Sequence, residues 1–113
     1  MDRERQKTHF IYKGIEYPKS GNKKYDSYRC RIIDKGKEMA IGIDRFEYLL
    51  TQPCAYCGDV ADTIDRIDSS KGYLEDNCAP SCKVCNCMKF MSTCEDFAAH
   101  IKKVYEHLDL GRL

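Results

Sequence analysis

Four cysteines stand as two Cys-x2-Cys pairs, Cys54/Cys57 and Cys82/Cys85, with 24 residues between them. Sulfurs at that spacing converge on one tetrahedral zinc ion at about 2.3 Å. Buried free thiols or a redox pair are the bland alternative, and the repetition of the pattern favours metal. Two further residues lie inside this frame. Asp65 belongs to the run Thr63-Ile64-Asp65-Arg66-Ile67-Asp68 between the pairs, and Asn86 directly follows the last cysteine. A carboxylate and an amide oxygen, completed by water and a phosphate, make an open site for a hard divalent ion such as Mg²⁺ or Mn²⁺. Arg66 adjoins Asp65, and Lys89 lies one helical turn beyond Asn86. Both carry charge suited to a phosphate. Cys30, Cys78, Cys87 and Cys94 lack the paired spacing and read as small apolar fillers.

These residues need elements to hold them. Cys54-Ala55-Tyr56-Cys57-Gly58 has the form of a knuckle. Thr63–Asp68 reads as a strand, Ser69 to Gly72 as a turn, and Asn77 to Pro80 as an antiparallel return strand. A helix beginning near Cys82 then places Cys82 and Cys85 on one face of its first turn. Residues 23–35 repeat Tyr25, Tyr28, Ile32 and Ile33 at helical spacing, with Gly36 as the stop. Met39-Ala40-Ile41 suggests a short strand. A helix capped by Asp44, with Glu47 as capping-box partner, would bury Phe46, Leu49 and Leu50 and end before Pro53. A last helix over Thr93–Leu108, capped by Ser92 and Glu95, carries the stripe Phe97, Ile101, Val104, Tyr105 and Leu108. Residues 1–22 read as an irregular or partly extended arm. The expected fold class is α+β, one zinc-stapled domain. It comprises a basic arm with helices over 1–50, a metal core over 54–91 and a C-terminal helix over 92–113.

The chain has 113 residues and a net charge of +1, which hides an asymmetry. Residues 1–40 hold 11 Lys/Arg against 6 Asp/Glu, whereas residues 41–113 hold 8 against 12. A basic, tyrosine-rich part joined to an acidic, ligand-rich part suits a protein that grips a polyanion with one and acts on it with the other. A solvated basic face is the other reading of the same charges. Eight cysteines without an export signal point to an intracellular, cytoplasmic setting. No apolar run has the length of a membrane span.

Residues 54–89, from Cys54-Ala55-Tyr56-Cys57-Gly58 through Thr63–Asp68, Gly72-Tyr73, Asn77 and Cys82-Lys83-Val84-Cys85-Asn86 to Lys89, resemble the ββα-metal module of HNH endonucleases. The small zinc-containing HNH proteins of phages and large viruses are the most similar type. The resemblance implies that Cys54, Cys57, Cys82 and Cys85 hold a structural zinc and that Asp65 and Asn86 bind the catalytic metal. It also implies that Asn77 braces the loop and orients the catalytic base, with DNA as partner and RNA as an open alternative. Lys23, Lys24, Arg29 and Arg31 would add phosphate contacts, and the chain would act as a monomer or a homodimer.

One position departs from the family. The histidine that normally follows the metal-binding aspartate is replaced by Arg66. Arginine stays protonated and cannot take a proton from water. Three accounts fit. Asp68, Tyr73, His9, His100 or His107 acts as base instead; metal-bound hydroxide attacks unaided; or the module binds nucleic acid without cutting.

Overall fold

The computed structural model describes residues 2–113. Its centre is the hairpin of β3 (Thr63–Arg66) and β4 (Cys78–Ser81), antiparallel with Asp65 opposite Ala79. Helix α4 (Lys83–Lys89) follows β4 at once, with Cys82 as its N-cap and the Cys82 sulfur accepting from the Cys85 amide. Side chains alternate along β3. Ile64 therefore enters the main core, while Thr63 and Asp65 face α4.

Helix α2 (Lys23–Asp34) covers the other side of β3. Asn22 caps it by accepting from the amides of Lys24 and Tyr25. Its buried residues Tyr25, Tyr28 and Ile32 occupy the expected helical stripe, and Tyr25 and Tyr28 meet Phe46 edge-on. The Tyr28 hydroxyl accepts from the Ile64 amide at 3.0 Å. That bond satisfies an edge donor of a two-stranded sheet, which would otherwise stay unpaired. Helix α2 thus sets the position of the strand that carries Asp65.

Several local expectations need correction. The irregular or partly extended arm is more ordered than expected: residues 3–18 form α1 (Arg3–Thr8) and an extended hairpin of β1 (His9–Tyr12) and β2 (Ile15–Pro18). Its two-residue turn, Lys13-Gly14, has positive φ at both positions, the geometry that matches strand twist. The strand expected at residues 39–41 shrinks to one bridge between Met39 and Tyr73. Helix α3 (Ile43–Leu49) starts one residue early, with Gly42 at its N-cap, so Asp44 lies in the first turn and makes no cap. In α5 (Cys94–His107) the cap is Thr93, bonded to the Asp96 amide, in place of Ser92 with Glu95.

Helix α5 extends away from the rest, and the molecule measures 64 Å along one axis against 28 and 26 Å across. None of its residues is buried. Phe97 meets Tyr56 edge-on, while Val104, Tyr105 and Leu108 face solvent.

Candidate metal centre

The knuckle closes tightly. Gly58 donates to the Cys54 carbonyl with φ of +83°, the Cys54 amide donates to Asp59, and Ala55 donates to the Pro80 carbonyl of β4. This last bond fixes the first cysteine pair against the hairpin, and the N-terminus of α4 brings the second pair to meet it. The four sulfurs of Cys54, Cys57, Cys82 and Cys85 all lie within 4.8 Å of one another, with Cys57 and Cys82 3.6 Å apart. Edges of roughly 3.8 Å follow from a tetrahedron with 2.3 Å zinc–sulfur bonds. The donor set therefore fits a metal ion such as zinc, and among the described residues no other cysteine joins it. Burial alone would raise the Cys54 thiol, but amide hydrogens of the two Cys-x2-Cys turns outweigh it and bring its pKa down to about 6. Burial and the neighbouring sulfurs push the Cys85 thiol up instead, so a metal ion that takes the four sulfurs as thiolates displaces their protons.

Asp65 lies beside this cluster and is nearly inaccessible, at 4% exposure. The Tyr56 hydroxyl donates to its Oδ2, and the Lys89 ammonium stands 3.2 Å from the same oxygen. Both partners fall on Oδ2. Asn86 is half-buried across the same face of the hairpin, its amide nitrogen donating to the Thr63 hydroxyl at 3.2 Å. Only its Oδ1 has the chemistry of a metal ligand.

The structure disposes the other expected residues differently. Lys89 is fully buried and contacts Asp65 and the carbonyls of Arg66 and Ile67, so it cannot reach the phosphate of an external strand. It is the counter-charge of Asp65. Arg66 projects from the opposite face of β3, donating to the Lys71 carbonyl at 2.8 Å with its guanidinium over the Tyr73 ring. Asn77 is buried and ties the loop three ways, donating to the Asp68 and Gly72 carbonyls and accepting from the Asp68 amide.

Of the substitute bases, none is brought to Asp65 by a hydrogen bond. The Ser70 hydroxyl and amide hold the Asp68 carboxyl below its ordinary range. Burial, then the neighbouring Tyr28, pushes Tyr73 up to about 12. His9 bonds to Thr8, and His100 and His107 lie exposed on α5. The residue that does reach Asp65 is Tyr56, inside the knuckle, which sequence reasoning passed over. Burial raises its phenol well above the usual value, and the bond to Asp65 raises it further. A tyrosine between paired cysteines signals nothing alone; only the fold of the knuckle onto β3 reveals it.

Among the predicted phosphate contacts, Arg29 is committed internally. It pairs with Asp26 at 2.9 Å, donates to the Pro18 carbonyl and stacks near Phe10, Tyr17 and Tyr25. Lys24 donates to the Asp62 carbonyl. Lys23 and Arg31 are exposed on α2, the latter 4.3 Å over the Tyr28 ring.

The comparisons agree with this geometry at the level of fold. A solved structure of the rare-cutting HNH restriction endonuclease PacI superposes with a TM-score of 0.59 over 85% of this chain and 84% of that one, at 17% identity. The chain therefore has an HNH-like ββα fold within a small α+β domain. An uncharacterized protein of Acanthamoeba polyphaga mimivirus is 36% identical over 87 residues, which is 74% of this chain. The chain spans about 16% of the length of that curated relative. No family model matches. Among the described residues no helix is long and apolar enough to cross a membrane.

Proposed function

We propose that this chain is a DNA endonuclease that hydrolyses phosphodiester bonds with one divalent cation, Mg²⁺ or Mn²⁺, held between Asp65 and Asn86. The observation that carries the reading is the one-sided clamp on Asp65. Tyr56 and Lys89 both bind its Oδ2, and Asn86 bonds to Thr63, which shares a face of β3 with Asp65. The likeness in fold to an HNH endonuclease supports it. A cation bound there supplies Lewis acidity at a phosphoryl oxygen and a lowered pKa for its water. The chain's own residues do the positioning. Lys89 offsets the Asp65 charge from below, and the cysteine cluster, with zinc, fixes α4 against the hairpin.

Arg66 cannot act as base, and its guanidinium is held on the opposite face of β3 by the Lys71 carbonyl and the Tyr73 ring. Tyr56 keeps its proton at neutral pH, which suits donation to the leaving oxygen better than abstraction from water. Absence of a side-chain base slows the reaction by a factor on the order of 10²–10⁴.

The test incubates zinc-loaded protein with supercoiled plasmid and Mn²⁺, beside Arg66→His. Nicking by the wild type supports the enzyme. Cutting by Arg66→His alone identifies an inactivated nuclease. Retardation of the plasmid with no cutting by either overturns the proposal in favour of a binding module.

A further inference from the structure

The hairpin β1–β2 packs against α2 and leaves a cleft of about 610 Å³ at their junction. Phe10 and Tyr12, two residues apart on β1 and therefore on one face, supply half-buried aromatic rings. Lys23, Ser27 and Arg31 come from α2, and Lys19 from the strand's exit. Lys23 and Ser27 recur at helical spacing on the face away from Tyr25, Tyr28 and Ile32, and Arg31, one turn further, lies at the edge of the core with its guanidinium 4.3 Å over the Tyr28 ring.

The charges sort clearly. The two carboxylates at the cleft are already paired, Asp26 with Arg29 at 2.9 Å and Asp34 with Lys13 at 2.7 Å. Among the described residues Lys19, Lys23 and Arg31 have no carboxylate within ion-pair distance; Lys19 donates to the Gln6 carbonyl, which leaves its charge uncompensated. A recess lined by two aromatic rings, of which Phe10 is already stacked on Tyr17, and by unneutralised cations suits one ligand chemistry, a flat nitrogenous ring attached to phosphates. Its volume falls within the range of small-molecule pockets and exceeds what one base fills.

We propose that this cleft receives one unstacked base of single-stranded or locally opened DNA, with Phe10 and Tyr12 against the base and Lys19, Lys23 and Arg31 on the flanking phosphates. The proposal deepens the nuclease reading, since it names the form of DNA recognised. Helix α2 joins the two places physically. Its cleft face lies across the helix from Tyr28, whose hydroxyl holds β3 at Ile64, next to Asp65. A helix is about 10–12 Å across with side chains, a span of roughly three or four base steps at 3.4 Å each.

The experiment measures affinity of the full-length, zinc-loaded chain for a short fluorescent single-stranded oligonucleotide and for the matching duplex, without Mg²⁺ or Mn²⁺. Ser27→Trp fills the cleft from an exposed helical position and changes no charge. It is expected to weaken single-strand binding about tenfold, the worth of one stacked base, and to leave duplex binding unchanged. The double variant Lys23→Ala/Arg31→Ala is expected to weaken binding and to flatten the log–log salt slope by roughly 1.4, at about 0.7 per lost single-strand contact. Circular dichroism matching the wild type establishes that each variant is folded. Wild-type single-strand affinity in a folded Ser27→Trp, or an unchanged salt slope in the double variant, overturns the proposal. Plasmid nicking with unaffected Ser27→Trp binding removes the cleft and keeps the nuclease. Cleft-dependent binding without any cutting does the reverse.

Discussion

Lys89 and Asp65 form an ion pair at 3.2 Å in which neither side chain is appreciably exposed, at 0% and 5%. Two charges removed from water are tolerated only together and with further hydrogen bonds. Lys89 has the Arg66 and Ile67 carbonyls, and Asp65 has Tyr56. The pair joins α4 to β3 through the residue proposed to hold the cation, so stability and function meet in one contact.

Removing one partner should therefore be costly. Lys89→Met is expected to lose about 3–5 kcal/mol of stability by leaving a buried carboxylate unpaired. Asp65→Asn combined with Lys89→Met should recover most of that loss. Chemical denaturation of the two single variants and the double variant supplies the cycle; additive losses would mean the pair does not couple.

Tyr56→Phe removes the hydroxyl from Asp65 Oδ2 and keeps the ring against Phe97. If the phenol donates a proton in the reaction, nicking should fall by a factor on the order of 10² or more, with the fold retained. A variant that nicks at the wild-type rate would restrict Tyr56 to packing.

Gly72 has no room for a side chain. A Cβ placed there would lie 2.1 Å from the Glu38 carbonyl oxygen and 2.6 Å from its nitrogen. The segments touch because Tyr73 donates to Glu38 and accepts from Ala40 and Ile41. Gly72→Ala is expected to cost at least about 2 kcal/mol through backbone displacement, read as a lower denaturant midpoint.

Alkaline pH should weaken the fold through its buried tyrosines. Tyr73 is raised to about 12 by burial and by Tyr28, and Tyr56 is raised by burial and Asp65. A folded-state pKa above the free value near 10 means a contribution that is complete below about pH 10 and declines as pH rises toward 12. Tyrosinate absorbance and denaturation midpoints over that range should change together.

The cysteine cluster was legible because metal spacing is a local property: two Cys-x2-Cys pairs specify a knuckle and a helix start without reference to the rest of the chain. The hairpin that presents Asp65 was legible for a similar reason, since alternation and the Ser69–Gly72 turn lie between the pairs. Contacts made across the fold were not. Tyr56 reaches Asp65 only because Ala55 bonds to Pro80 and tilts the knuckle onto β3. Lys89 shares a helical face with Asn86, which suggested a common solvent-facing site; the roll of α4 against β3 buries the lysine and leaves the asparagine half-exposed. The β1–β2 hairpin was missed because Gly14, Pro18 and Gly21 suggested irregular chain. Its signal was there in Phe10, Tyr12, Ile15 and Tyr17 around the Lys13-Gly14 turn.

The most direct measurement of the central claim is strand cleavage of supercoiled plasmid by Asn86→Ala beside the wild type, at equal zinc content and with Mn²⁺ added. The account predicts nicked circles from the wild type and intact plasmid from the folded variant. Equal nicking by the two proteins would contradict it, because the cation would then not depend on the Asn86 oxygen.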